Sequence, residues 1–312
     1  MNVQNLKGRD FITLADFRPE ELRQLLDLAH HLKRQQKLGL TCRPLVGRTL
    51  AMLFHKHSTR TRVSFAVGMY QLGGQALYLG ADELQLGRGE TVADTARVLS
   101  RYVDAILIRT YSHDLVKELA AAADVPVING LTDLLHPTQA LTDFFTLQEK
   151  KGRLAGLKLA YVGDGNNVAH SLLIGAATLG VNISLACPVG YAPQEEIVAQ
   201  ARQAADRSGA EITVGVDPRA AVAGADAVYT DVWTSMGQEA ESAARRTAFA
   251  PYQVNGALMA LAKPDALFLH CLPCHRGEEV TAEVVDGPQS VVFDEAENRL
   301  HVHKAILAAV IS

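Results

Sequence analysis

The sequence is short of cysteine: only Cys42, Cys187, Cys271 and Cys274 occur in 312 residues. That is too few for a disulfide framework in a chain of this length, so the thiols are read as reduced. Blocks of like charge are missing as well. Lys and Arg number 30 against 34 Asp and Glu, a formal net charge of -4. Nothing here supplies the dense basic surface that sequence-independent binding of nucleic acid requires, so nucleic acid is not an expected partner. The segment from Met1 to Arg18 carries Lys7, Arg9 and Asp10 and no apolar run. It reads as neither a secretory signal nor a membrane-crossing start, and a cytoplasmic location without a membrane partner is expected. What is present is the composition of a globular chain, with 48% hydrophobic and 21% charged residues. Against a usual domain of about 100–200 residues, the length suggests two.

The patterning gives the fold class. Leu22, Leu25, Leu26, Ala29 and Leu32 recur at helical spacing behind Pro19, Glu20 and Glu21, residues suited to a first turn, which predicts an opening amphipathic helix. Short apolar runs then alternate with helical stretches. Thr49–Phe54 precedes a helix from about Thr61, and Ala76–Leu79 one from about Thr91; Ala105–Ile108 precedes Leu115–Ala123, and Val125–Ile128 precedes Thr138–Lys151. Such alternation predicts a parallel sheet covered by helices. Lys150, Lys151, Gly152 and Arg153 interrupt it. A second set comes next, with strands at Leu157–Val162, Ile183–Ala186, Ile212–Gly215, Ala227–Thr230 and Ala266–Leu269 and its clearest helices at Asn167–Leu179 and Pro193–Arg207. The expected architecture is α/β: two domains, 1–150 and 151–297, each a parallel β-sheet flanked by helices, with a C-terminal helix, 298–312, packing back on the first domain.

Ligands in parallel α/β domains gather at the carboxyl ends of strands, and here those ends are rich in donors. His55, Lys56, His57, Ser58, Thr59, Arg60, Thr61 and Arg62 come after the first strand and run into a helix. Backbone N–H groups at a helix N-terminus, small hydroxyls and guanidinium groups make an anion cradle suited to phosphate. Standing alone, Ser-Thr-Arg at a helix start is more often an ordinary cap with solvated arginines. Here Arg109 comes after the third strand, and His136, Pro137, Thr138 and Gln139 open a later helix. Singly, Arg109 reads as an ion-pair member and His136 as a capping residue. Together these donors are able to bind an oxyanion and polarise a neighbouring carbonyl.

Phe54, Lys56, Ser58, Thr59, Arg60 and Thr61, with His136, Pro137, Thr138 and Gln139 further on, resemble the carbamoyl-phosphate signatures of the aspartate and ornithine carbamoyltransferase family. Asp231, Val232, Trp233, Thr234, Ser235, Met236 and Gly237 resemble its ornithine-recognition loop. His270, Cys271, Leu272 and Pro273 resemble its ornithine branch, the aspartate branch carrying a different residue at the cysteine position. The motifs fall in order over nearly the whole chain. The resemblance implies transfer of the carbamoyl group of carbamoyl phosphate to the δ-amine of L-ornithine, giving citrulline and phosphate, with no cofactor and no metal. It implies that Ser58, Thr59, Arg60 and Thr61 bind phosphate, joined by Gln85 from a neighbouring subunit of a homotrimer. Arg109, His136, Gln139 and Arg299 are implied at the carbamoyl group; Asn167, Asp231, Ser235 and Met236 are implied at the amino-acid end of ornithine. Cys271 and the Leu272 backbone are implied beside the δ-amine where it meets the carbamoyl group. Arg60, Arg109, His136 and Cys271 are the implied catalytic residues.

The chain departs from the family pattern at His55 and His57, where the ornithine branch usually has Glu and often Pro around the lysine, and at Ala66, where Glu is common. These positions flank the phosphate residues without replacing them. His55 and His57 stand two apart, as a metal pair would, but no carboxylate or cysteine lies near in sequence to complete a site. Gly163, Asp164, Gly165, Asn166, Asn167, Val168 imitates a dinucleotide fingerprint, yet it lacks the third glycine, and the next strand ends at Ala186, Cys187, Pro188 with no acid for a ribose. Cys271, Leu272, Pro273, Cys274, His275 matches patterns for haem attachment and for redox chemistry. The first requires export, and the second an exposed low-pKa thiol at a helix start. Two rival functions are a non-catalytic phosphate-binding paralogue and a carbamoyltransferase for putrescine or an N-acylated ornithine. No arginine of the cradle nor His136 is lost, as the first would require, and the intact Asp231 and Ser235, Met236, Gly237 segment speaks for free ornithine.

Overall fold

The computed structural model describes residues 6–81, 84 and 89–312. The chain divides into two compact units, Met1–Phe145 with Glu297–Ser312, and Thr146–Ala296.

In the first unit α1 (Pro19–Lys37) opens on a proline, and the Glu21 carboxylate accepts the Arg18 backbone N–H at 2.8 Å. Its stripe of Leu22, Leu25, Leu26, Ala29 and Leu32 is buried. Four strands, β1 (Thr49–Phe54), β2 (Gln75–Gly80), β3 (Ala105–Arg109) and β4 (Val127–Leu131), form a parallel sheet in the order β2-β1-β3-β4. Central β1 and β3 are covered on both faces, which is why they read as unbroken apolar runs. The helices are α2 (Thr59–Gln71), α3 (Val92–Leu99), α4 (His113–Ala122) and α5 (Pro137–Lys151). β4 starts two residues later than the apolar run suggests. Pro126 has no N–H to give a ladder, and the Val127 N–H is taken by the Asp10 carboxylate at 2.8 Å, where Phe11 pairs with Ile128 as an extra bridge.

The second unit holds β5 (Lys158–Val162), β6 (Asn182–Ala186), β7 (Ile212–Gly215), β8 (Ala227–Tyr229) and β9 (Leu267–Leu269), all parallel, in the order β7-β6-β5-β8-β9. α6 (Asn167–Leu179) and α7 (Glu195–Ser208) are its long helices; α8 (Pro218–Val222), α9 (Ser242–Phe249), α10 (Gly256–Met259) and α11 (Ala282–Val285) are short. α12 (Val292–Ile311) starts earlier than its apolar face predicts, with Asp294 and Glu295 in a first turn that favours acids. From Glu297 onward it belongs to the first unit, where His303 stacks on Phe65 at 4.0 Å and Asn298 accepts from the buried Lys33 ammonium at 2.6 Å. Among the described residues no helix is long and apolar enough to cross a membrane.

Each strand order reverses direction once, between β1 and β3 in the first sheet and between β5 and β8 in the second. A crevice opens at the carboxyl ends of strands at such a point, and the residues directly beyond those four strands are His55, Thr110, Gly163 and the Thr230–Asp231 pair. The glycines after β5 serve chain geometry. Gly163 has φ +143°, and a Cβ on Gly165 would stand 2.2 Å from the Pro193 nitrogen and 2.4 Å from the Ala192 carbonyl carbon. Backbone cannot yield as a side-chain tip does, so Gly165→Ala is expected to destabilise the fold by about 2 kcal/mol or more, read as a lowered urea midpoint.

Candidate active site

The first unit gathers its donors at the start of α2. Ser58 is the helix cap, its Oγ accepting the Thr61 N–H at 3.1 Å. Thr61 is buried, and its Oγ1 accepts from Arg299 Nη2 at 2.9 Å. Arg299 Nη1 donates to Gln139 Oε1, and the Gln139 amide donates in turn to Asp143 Oδ1 at 2.7 Å. One buried chain of bonds thus joins α2, α5 and α12. Arg109 ends β3, 6% exposed, and its carbonyl accepts the His55 N–H at 2.9 Å, tying the cradle loop to the neighbouring strand. His136 precedes α5 and is buried. Desolvation, then the charges of Arg299, Arg109, His303 and Arg60, hold its pKa well below the usual histidine value. At neutral pH it is a neutral imidazole among three guanidinium groups, a hydrogen-bonding group in a field that favours an anion.

The flanking residues are engaged elsewhere. Lys56 is buried, bonded to Asp133 and placed 4.3 Å over the Tyr111 ring. His55 Nδ1 meets Thr110 Oγ1 at 2.9 Å, and burial lowers the pKa of its ring; His57 is exposed. Gln85 lies outside the described residues.

The second unit builds a fixed carboxylate. Asp231, 5% exposed, lies just beyond β8; its Oδ2 accepts from Asn166 Nδ2 at 2.8 Å, and its Oδ1 accepts the Val232 N–H at 2.8 Å and the Cys271 thiol at 3.1 Å. Asn166 is also the cap of α6, its Oδ1 accepting from Val168 and Ala169 at 2.9 and 3.1 Å. Asn167 opens that helix, half-buried. Beyond Asp231 the Ser235 N–H donates to Gln238 Oε1 at 3.2 Å, and Met236 is exposed. The base of this loop is pinned by Arg245, which donates to the Trp233 carbonyl at 3.0 Å and to Asp164 at 2.9 Å. Burial pushes the Asp164 carboxyl up to about 6 against the lowering pull of Arg245.

The loop after β9 carries His270, Cys271 and Leu272. His270 Nδ1 accepts the Leu272 N–H at 2.9 Å, so its Nε2 carries the proton that faces Glu279 Oε1 at 3.3 Å. The His270 backbone N–H is held by Glu295 at 3.0 Å. Glu279 is fully buried yet its pKa lies below the ordinary value, because the hydrogen bonds from His270 and the His275 N–H outweigh desolvation. These bonds hold Leu272 in the left-handed region at φ 56°. Asp231, His270 and Cys271 bring metal-ligand atoms within 4.8 Å of one another, as do His275, Glu278 and Glu279. In the first set the thiol bonds the aspartate and His270 is turned to Glu279.

The structure therefore brings together Thr61, Gln139 and Arg299, with His136 in the field of Arg60 and Arg109, in the first unit, and Asp231 with Cys271 in the second. Arg245 and Glu279 are not marked by the sequence motifs, and Asn166 is marked only within the imitated dinucleotide fingerprint. An Asn directly before a helix is a capping signal and could have found Asn166. No local pattern marks Arg245, whose partner Asp164 is 81 residues away.

Residues 9–149 match the family model described as the carbamoyl-P binding domain of aspartate/ornithine carbamoyltransferase, and residues 155–310 match its Asp/Orn binding domain. The chain is 60% identical over 306 residues to the ornithine carbamoyltransferase of Anoxybacillus flavithermus, covering 98% of each chain. It is 59% identical over 308 residues to that of Bacillus subtilis, covering 98% of this chain and 95% of the relative. The solved structure of the ornithine carbamoyltransferase from Pyrococcus furiosus superposes with a TM-score of 0.96 at 57% identity, covering 98% of both chains.

Proposed function

The chain belongs to the aspartate/ornithine carbamoyltransferase family, and from that membership we propose that it transfers the carbamoyl group of carbamoyl phosphate to the δ-amine of L-ornithine, yielding L-citrulline and phosphate. The first unit holds carbamoyl phosphate and the second ornithine. Ser58, Thr59, Arg60 and Thr61 take the phosphate at the positive end of α2; Arg109, His136, Gln139 and Arg299 take the carbamoyl group. The observation that carries this reading is the buried chain from Thr61 through Arg299 to Gln139 beside a neutral His136, a set of polar groups that hold one another in place. In the second unit Asp231 receives the α-ammonium of ornithine, with Asn167, Ser235 and Met236 at the same end. Cys271 and the Leu272 backbone attend the δ-amine and the carbamoyl group it attacks.

The δ-amine attacks as the free base, the carbonyl oxygen becomes an oxyanion, and the tetrahedral intermediate expels phosphate, which is able to accept the amine proton. Catalysis rests on orienting two substrates and on fixed donors facing the growing charge, and it calls on no cofactor. Because the amine titrates near about 10.4 when free, turnover rises with pH through the neutral range. Measuring phosphate release from carbamoyl phosphate, with identification of the carbamoylated product, for ornithine, putrescine, N-acetylornithine and aspartate tests the assignment: ornithine is the expected substrate, and a preference for any other overturns it.

We assign the enzyme to the cytoplasm, in keeping with four free thiols, and to a homotrimer in which Gln85 of a neighbour reaches the phosphate site. A fully active monomer by light scattering would contradict the trimer. His55 and His57 stand outside the machinery. The His55 ring is held by Thr110, and burial lowers its pKa, which disfavours the charged form. The apparent KM for carbamoyl phosphate between pH 7 and 8 is therefore expected to be the same in wild type and in a His55→Gln, His57→Gln double variant; diverging profiles would place these rings at the phosphate.

A further inference from the structure

A cavity of about 290 Å³, apart from the anion cradle, lies in the first unit at the carboxyl ends of α1 and α2, and takes one wall from Lys304 of α12. Lys304 is 4% exposed, and its ammonium donates to two neutral groups, Gln36 Oε1 at 2.6 Å and Gln71 Oε1 at 3.0 Å. A buried ammonium normally sits against a carboxylate, because desolvation of the charge is costly without one. No acid lines this cavity among the described residues, and the other charged side chain at its wall, Arg43, is also a cation. Burial pushes the Lys304 pKa down to about 8, against an upward pull from Cys42 in the same wall, as expected of an ammonium without a carboxylate partner. A second polar group is in the opposite condition: Gln35 lines the same cavity, and its Oε1 is buried with no donor. The remaining walls include Leu32, Leu40 and Leu72.

We propose that this cavity binds a free α-amino acid with a small aliphatic side chain. The α-carboxylate supplies the missing anion to Lys304 and Arg43, using the third ammonium N–H that the two glutamines leave. The α-ammonium supplies the missing donor to Gln35 Oε1, and the side chain lies against the leucines. The volume sits at the lower edge of the roughly 300–1,000 Å³ usual for ligand pockets, which suits a ligand of amino-acid size and excludes a nucleotide. Leu40 is exposed at 58% and Arg43 is exposed, so the ligand enters from solvent.

The test is calorimetric titration of the full-length protein with L-leucine, with 4-methylpentanoate (the carboxylate without the amine) and with isoamylamine (the amine without the carboxylate). L-Leucine is expected to bind saturably, and each half-ligand at least ten-fold more weakly. Lys304→Met keeps the aliphatic stem that packs on Gly68 and removes the charge; it is expected to weaken L-leucine at least ten-fold, while Asp231→Asn, which disables the carboxylate that receives ornithine, leaves that binding intact. Gln35→Leu, at a position far less buried than Lys304, gives the same loss should Lys304→Met not fold. Binding that survives Lys304→Met and Gln35→Leu but vanishes in Asp231→Asn would place the amino acid in the ornithine site and overturn the proposal, as would no saturable binding at all.

Discussion

Arg60→Ala is expected to lower turnover by at least ~10²-fold, about 2.7 kcal/mol of transition-state stabilisation, with the fold intact. Arg60 is the second residue of α2, half-buried, and its charge reaches His136. Its backbone is secured independently of the side chain: the Arg60 carbonyl accepts from Ser64 Oγ at 2.6 Å, and Ser64 is itself bonded to the buried His303 at 2.8 Å. Removing the guanidinium thus deletes a charge without releasing the helix start. A thermal melt close to wild type is the control. Arg60→Lys should recover only part of the rate, because an ammonium supplies a point charge where the guanidinium supplies two parallel donors. If the charge acts on the leaving phosphate, inorganic phosphate should compete with carbamoyl phosphate in wild type and compete poorly in Arg60→Ala. Turnover near wild type in the alanine variant would show that the developing charge is met elsewhere.

Why Arg60 could be singled out from sequence, and Arg245 could not, is a matter of how far each acts along the chain. The cradle is contiguous. β1 ends, Ser58 caps the next helix, and the residues between are polar, so both the strand end and the helix start are local signals. The strands were legible as short apolar runs, unbroken where both faces are covered, as in β1 and β3; outside β4 every end agrees with the apolar run to within one residue, and β4 is displaced further, where Pro126 intervenes. α8, α10 and α11, of 5, 4 and 4 residues, are too short to show a stripe at a period of 3.6. The supports of the site are invisible for a different reason. Glu279 acts through His270, Arg245 through the Trp233 carbonyl and Asp143 through Gln139, contacts that exist only once the chain has folded. Asn166 and Asn167 show the limit most closely. Adjacent and alike, they are divided by the fold: a cap before the helix is legible in sequence, but only the folded chain reveals that Asn166, which supplies it, also holds Asp231.

That division makes Asp231→Asn the second large effect. The carboxylate accepts three hydrogen bonds, from Asn166, Val232 and Cys271, and all three donors were placed for an acceptor. An asparagine has the same shape but must turn an NH2 toward at least one of them and carries no charge for an α-ammonium. Loss of one charge-assisted bond to a buried partner costs about 1.5–3 kcal/mol, and leaving the opposing donor unsatisfied adds to it. The apparent KM for ornithine is therefore expected to rise at least ~10²-fold, while the KM for carbamoyl phosphate, bound by the other unit, stays within about two-fold. The turnover number should fall as well, because the Cys271 thiol loses the acceptor that orients it. Asn166→Ala separates the two effects: it removes one donor to Asp231 and the cap of α6 while preserving the charge, so its ornithine KM should rise by roughly ten-fold only, with a loss of about 1 kcal/mol in stability from the missing cap. Initial rates at varied ornithine, with carbamoyl phosphate saturating, read both variants. An unchanged ornithine KM in Asp231→Asn would remove this carboxylate from the binding site and leave it a support for Cys271.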